Sequence, residues 1–189
     1  MSQPLRVLLV EDAEPDAYLV LHALRAGGFA PEHQRVDTPE AMTAALGSGP
    51  WDIVISDYSM PHFNGLDALA LLQKSGLDVP FIIVTGAIGE EEAVRCLRAG
   101  AVDYLLKDRL DRLTPAVQRA LVMAEEHRRR LQAEQELAAS ERRLRTIFES
   151  EPECVKVLGP NSTLQEMNPA GLRMIEADSL AHRAFGFES

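Results

Sequence analysis

The sequence predicts an α/β fold: a doubly wound, five-stranded parallel sheet, followed by a long C-terminal helix and a short, incomplete α+β segment. Three observations predict it. Over the first 113 residues, short apolar runs alternate with amphipathic stretches, the pattern of a parallel sheet covered by helices on both faces. Glycines follow the last periodic residue of successive amphipathic stretches, where helices stop. Beyond Thr114-Pro115, no glycine or proline occurs until Pro152, and Ala, Leu, Glu, Arg and Gln dominate, which reads as one uninterrupted helix.

The strand candidates, in order, are Leu5 to Val10, His33 to Val36, Ile53 to Ser56, Phe81 to Thr85 and Asp103 to Leu106. Helix starts lie between them: Pro15 near a first turn, Thr38-Pro39 as N-cap and first helical residue, and Glu90-Glu91-Glu92, whose acids complement a helix N-terminus. Gly27-Gly28, Gly47, Gly76 and Gly100 mark the stops. In the long helix, Val117, Leu121, Ala124 and Leu131 follow 3–4 spacing, interrupted by Arg128; after a phase shift, Leu137, Leu144 and Ile147 continue the stripe. Two arrangements suit it: first turns packed on the sheet with the rest solvated, or a dimeric coiled coil. After Pro152, Cys154 to Leu158, a turn at Gly159-Pro160-Asn161 and Thr163 to Met167 read as a hairpin, with a helix from Asn168-Pro169. The resulting division is 1–113 for the core, 114–150 for the helix as linker or coiled coil, and 151–189 for the incomplete segment.

Composition narrows the function. Apolar residues are 46%, charged residues 25% and the formal net charge is -10, so the surface repels a phosphate backbone and nucleic-acid binding is disfavoured. The acidic excess sits in residues 1–113, which hold nine basic and seventeen acidic side chains. Cys96 and Cys154 lie far apart and suit a reducing compartment. Met1 to Pro4 lacks the pattern of a secretory leader, and no run of about 18 apolar residues occurs, so the expected location is cytoplasmic and away from membranes. His22, His62 and His127 show no metal-ligand spacing, and Arg128-Arg129-Arg130, interspersed with glutamates, reads as a solvated face.

Chemistry concentrates at the carboxyl ends of the strands. Glu11 and Asp12 follow the first, Asp57 the third, Thr85 ends the fourth and Lys107 follows the fifth. A parallel sheet brings those ends to one edge. Three crowded carboxylates resist ionisation unless a cation compensates, and an all-oxygen acidic cluster suits magnesium, with manganese as a substitute. The reaction that follows is phosphoryl transfer onto a carboxylate: Asp57 as nucleophile, Lys107 and the metal neutralising oxygen charge, Thr85 donating a hydrogen bond.

Together, Val7-Leu8-Leu9-Val10-Glu11-Asp12, Asp57-Tyr58-Ser59-Met60-Pro61 with Gly65, Val84-Thr85-Gly86-Ala87 and Gly100-Ala101-Val102-Asp103-Tyr104-Leu105-Leu106-Lys107 resemble a response-regulator receiver domain, of flavodoxin-like fold, over about residues 4 to 125. The resemblance implies phosphorylation of Asp57 by a histidine kinase or phosphotransfer protein. It also implies direct magnesium ligation by Asp12 and Asp57, a water-mediated role for Glu11, and a backbone-carbonyl contact from Ser59. Thr85 and Tyr104 match the paired switch positions, and Lys107 the phosphate-binding lysine. Where the family commonly has proline after this lysine, in a cis bond, Asp108 follows here; a cis bond before a non-proline residue costs about 2.5–4 kcal/mol, so the expectation is either a trans bond or a strained loop.

Leu144 to Ser150, leading into Glu166-Met167-Asn168-Pro169-Ala170, resembles the start of a PAS domain, which implies a longer parent protein with a sensory module and an output enzyme such as a kinase or cyclic-dinucleotide enzyme. The segment itself is expected to be a signalling module rather than an enzyme, and a homodimer. Glu90, Glu91, Glu92, Arg95, Arg98, Arg109 and Arg112 would set acids against arginines across a two-fold axis. Two alternatives stand beside it. An aspartate-nucleophile phosphatase would want a second acid two residues after the nucleophile, where Ser59 stands; a phosphorylation-independent scaffold would not need the full set of acids, hydroxyl and ammonium.

Overall fold

In the computed structural model, which describes residues 2–61, 63–86 and 90–174, five parallel strands form one sheet. They are β1 (Gln3–Val10), β2 (Phe29–Val36), β3 (Ile53–Asp57), β4 (Phe81–Thr85) and β5 (Asp103–Leu106), in the order β2-β1-β3-β4-β5. The crossovers are α1 (Glu14–Ala26), α2 (Pro39–Ser48), α3 (Gly65–Ser75) and α4 (Glu90–Ala99), and α5 (Leu113–Ser150) follows a six-residue 3₁₀ turn, Lys107–Arg112. The chain divides into two compact units, Met1–Arg129 and Arg130–Ser189.

Side-chain alternation on the strands builds two separate cores. Leu5, Val7, Leu9, Ile53, Ile55, Ile82 and Val84 point to one face and pack with α1 and the start of α5. Leu8, Val10, Val54, Phe81 and Ile83 point to the other and pack with α2, α3 and α4. Every residue of β3 and β4 is buried, as expected of central strands in a covered sheet.

Local sequence accounts for most element ends. Thr38 caps α2 by accepting from the Ala41 amide (3.2 Å), and Asn64 caps α3 by accepting from Leu66 and Asp67 (2.9 and 3.0 Å). Gly76 ends α3 in the left-handed conformation (φ 72°), a role glycine fills without Cβ strain.

Among the boundaries that differ from the sequence expectation, two have a clear local cause. α2 runs through Gly47 to Ser48: the stop belongs to Gly49, which is extended and precedes Pro50, while Trp51 Nε1 donates to the Ala45 carbonyl (2.9 Å). β2 begins at Phe29 rather than His33. Its first half, Phe29 to Glu32, breaks the apolar run with Pro31, which an edge strand tolerates because one side needs no ladder donor.

The 38 residues of α5 span roughly 57 Å at 1.5 Å per residue. Its apolar stripe divides. Leu113, Ala116, Val117 and Ala120 are buried in the first core and Leu121 packs against it, so Val117 and Leu121 belong to the sheet and not to a free seam. Leu131, Leu137, Leu144 and Ile147 are exposed. Ion pairs Arg129–Glu125, Arg130–Glu134 and Arg145–Glu149, each at i,i+4, support the helix in solvent.

In the second unit, β6 (Lys156–Leu158) and β7 (Leu164–Met167) pair antiparallel and lead into α6 (Pro169–Met174). β6 starts later than Cys154 because the Val155 backbone is taken elsewhere. Its amide donates to Asn168 Oδ1 (3.0 Å), and its carbonyl accepts from the Asn168 amide (3.0 Å). The fully buried Asn168 also accepts from Gly171 N (2.9 Å), and its Nδ2 donates to the carbonyls of Glu151 (3.0 Å) and Glu153 (2.8 Å). Residues 175–189 of the PAS-like reading lie outside the described residues.

Candidate functional site

The parallel register brings the strand ends together. Val10 lies beside Ser56, Asp57 beside Val84, and Thr85 beside Leu106. Glu11 and Asp12 therefore leave β1, Asp57 ends β3, Thr85 ends β4 and Lys107 leaves β5 along one edge of the sheet.

Lys107 Nζ is the hub of this edge. It donates to Asp57 Oδ2 (2.8 Å), to Glu11 Oε2 (2.9 Å) and to Asp16 Oδ2. Burial alone would lower the lysine's pKa, but the hydrogen bonds to Asp16, Asp57 and Glu11 outweigh it and the net shift is upward. Burial pushes the Glu11 carboxyl up; hydrogen bonds from Lys107 and the Ala13 amide oppose it, and the nearby charge of Asp57 adds to it. Glu11 is 2% exposed and Asp57 8%, so neither charge is hydrated as it would be on an open surface.

Backbone contacts hold the acids in place. Ala13 N donates to Glu11 Oε1 (3.0 Å), and Ser59 N to Asp57 Oδ1 (3.3 Å). Arg35, at the end of β2, donates to the carbonyls of Glu11 (2.9 Å) and Asp12 (3.1 Å) and so fixes the turn that presents both. The segment after Asp57 returns at once: Ser59 bridges Asn64, and Gly65 N donates to the Tyr58 carbonyl (2.9 Å). A Cβ at residue 65 would lie 2.9 Å from the Asp57 carbonyl oxygen and 3.2 Å from Tyr58 Cα, so only glycine permits that approach.

Glu11, Asp12 and Asp57 each offer an oxygen within 4.8 Å of the others. Two of these acids are buried and Asp12 is exposed, a hard all-oxygen donor set open to water on one side, which fits a magnesium ion. Thr85 is buried in the same edge, and Tyr104 is half-buried against the second core. The Lys107–Asp108 bond is trans, and the chain passes directly into the 3₁₀ turn.

All the strand-end residues expected from sequence meet here; Asp16 and Arg35 were not anticipated. Asp16 sits in the first turn of α1, and Arg35 is the penultimate residue of β2, so neither follows a strand end. The signal for Asp16 was its place five residues after Glu11, just past the Pro15 that starts the helix. Of the histidines, His22 is exposed and stacks on Tyr18, and His127 is exposed; the reading of His62 falls outside the described residues. Both cysteines are free, Cys96 buried in the second core. Among the described residues, no helix is long and apolar enough to cross a membrane.

The family model for the response regulator receiver domain matches residues 7–118. Among curated proteins, the chain is 33% identical over 105 residues to the phosphate regulon transcriptional regulatory protein PhoB of Klebsiella pneumoniae, covering 54% of this chain and 44% of that protein. It is 36% identical over 107 residues to the transcriptional regulatory protein QseB of Haemophilus influenzae, covering 54% and 46%. The chain thus spans less than half the length of these relatives. Among solved structures, full-length FixJ from B. japonicum aligns with a TM-score of 0.60 at 26% identity, covering 74% of this chain and 68% of that one; NtrX from Brucella abortus aligns at 0.61 and 25%, covering 70% and 30%. A sheet of order β2-β1-β3-β4-β5 with this edge, matched over more than half its length, means that the chain belongs to the response regulator receiver family of two-component signalling.

Proposed function

We propose that Asp57 accepts a phosphoryl group from a histidine kinase or phosphotransfer protein and that the chain relays the modification by changing its associations. The observation that carries this is the bond from Lys107 Nζ to Asp57 Oδ2 beside the Glu11–Asp12–Asp57 trio. A carboxylate oxygen of Asp57 attacks phosphorus as the bond to the donor's leaving group breaks, and the leaving group keeps the electron pair. Asp12, Asp57 and the Ser59 carbonyl would hold magnesium or manganese, with Glu11 acting through water; the ion supplies charge neutralisation for the phosphoryl oxygens. Lys107 moves an N–H from the carboxylate to a phosphoryl oxygen. Thr85 donates its hydroxyl to the same group, and Tyr104 turns toward the space Thr85 leaves, altering the surface made by α4, β5 and the start of α5.

The same reading makes residues 1–113 the receiver core, 114–150 a helical link and 151–189 the beginning of a PAS-like module in a longer protein. Leu131, Leu137, Leu144 and Ile147, exposed on α5, support pairing of two copies along the link. The deciding experiment is intact mass after incubation with acetyl phosphate and magnesium. Wild type gains one phosphate and Asp57→Asn none; equal uptake by both overturns the assignment.

A further inference from the structure

Three elements converge on the Lys107 nitrogen. An ammonium has three N–H donors, and three carboxylates take them: Glu11 after β1, Asp57 ending β3, and Asp16 in α1. Asp16 differs from the other two. Its side chain is 34% exposed where theirs are 3% and 10%, and it lies outside the trio of acids whose oxygens fall within 4.8 Å of one another. It is also held in place. Pro15 fixes the backbone before it, and Ala17 after it is buried in the core with Val20 and Leu24.

We propose that Asp16 is a positioning residue for phosphoryl transfer: it draws the Lys107 ammonium toward α1 and so limits how strongly that ammonium engages a phosphoryl group on Asp57. The proposal rests on the reading of Asp57 as phosphoacceptor. A phosphoryl group adds oxygens that compete for the same three N–H bonds, and α1, packed into the core, cannot carry Asp16 after a departing lysine. Every gain of Lys107 toward the phosphoryl group therefore stretches the Asp16 contact. The acid at position 16 sets the occupancy of the phosphorylated arrangement and ties the first turn of α1 to it.

The sequence makes the ammonium directly observable, because Lys74, Lys107 and Lys156 are its only lysines. The full chain is labelled with carbon-13 at lysine Cε, and the Lys107 signal is assigned with Lys107→Arg. Asp16→Asn, which keeps the shape and removes the charge, is expected to move the Lys107 signal and leave those of Lys74 and Lys156 in place. Beryllofluoride with magnesium, the phosphoryl mimic, is then expected to bind Asp16→Asn about 1.5- to fivefold more tightly than wild type, the range for loss of one partly exposed charge contact. Asp16→Ser is measured alongside and should change in the same direction. An unmoved Lys107 signal, or affinity that is unchanged or weaker in both variants, overturns the positioning role. Failure of wild type to bind the mimic, or equal binding by Asp57→Asn, overturns the phosphoacceptor reading and this proposal with it.

Discussion

Each unit of the chain contains a polar hub, one half-buried and one fully buried, and the two are built from opposite materials. Lys107 holds three carboxylates from three separate elements, so its bonds run between charged side chains. Asn168 is neutral, and its side-chain amide bonds only to backbone: Val155, Glu151, Glu153 and Gly171. Added charge redistributes the first hub, because its partners can be exchanged without leaving a backbone group orphaned. The second offers no exchange. Each of its bonds satisfies a main-chain group in or beside β6 or α6, and losing one exposes that group to an unfavourable environment. A signalling site needs the first kind of hub and a folding anchor the second.

The largest effect expected from breaking this contrast is on phosphorylation rate. Lys107→Ala removes the cation that faces the transferring group, and losing one preorganised donor lowers rates about 10²–10³-fold. A time course of intact mass with acetyl phosphate measures it; a loss under tenfold would mean that Lys107 is not the group that neutralises the phosphoryl oxygens.

Next is the neutral hub. Asn168→Ala leaves two amides and two carbonyls without their side-chain partner, and we expect the second unit to lose about 2–4 kcal/mol of local stability. Hydrogen exchange at the Val155 and Gly171 amides reads this directly. Protection there should collapse while β3 and β4 keep theirs; retained protection would show that the hairpin stands without the anchor.

Asp12→Asn should weaken magnesium binding about tenfold or more, and Glu11→Gln much less, because a direct ligand loses more than one acting through water. Calorimetric titration of both variants tests the division, and equal losses would reassign the roles.

The smallest effect belongs to the Arg6–Asp52 pair on the surface, at 2.8 Å. Burial would raise the Asp52 pKa, but the side-chain and backbone donors of Arg6 outweigh it and hold the carboxyl below its ordinary value. A depressed carboxylate pKa stabilises the fold above the unfolded value of about 3.9, and that contribution disappears as pH falls through the lower folded value. Asp52→Asn should therefore lower the thermal midpoint by about 3 °C or less between pH 5 and 8, with the difference shrinking as pH falls below about 3.9. A difference that does not shrink with falling pH would point to packing instead of charge.

How legible these features were depends on their spacing in the chain. The central strands were readable because β3 and β4 are apolar throughout, a pattern only a doubly covered strand needs. The acidic edge was readable because a parallel sheet gathers strand ends regardless of sequence distance. Asp16 escaped because it sits in the first turn of a helix and not at a strand end, so only its closeness in sequence to Glu11 hinted at the shared edge. Val117 and Leu121 were ambiguous for another reason: one 3–4 stripe serves equally for packing on a sheet and for pairing with a second helix. Only the three-dimensional position of α5 separates core members from the exposed Leu137 and Leu144. Similarly, Asn168 looks like an ordinary residue before a helix-starting proline until its backbone partners are seen.

The short return after Asp57 has a mechanical consequence. Because Gly65 ties back to Tyr58, and Asn64 to Ser59, the segment closes on itself before α3 begins. Its tip is anchored in turn, because Met60 packs against the second core. Any side chain at residue 65 would push this return off the Asp57 carbonyl and loosen the Ser59 amide that holds the carboxylate. The glycine is what lets the chain turn so close behind the carboxylate.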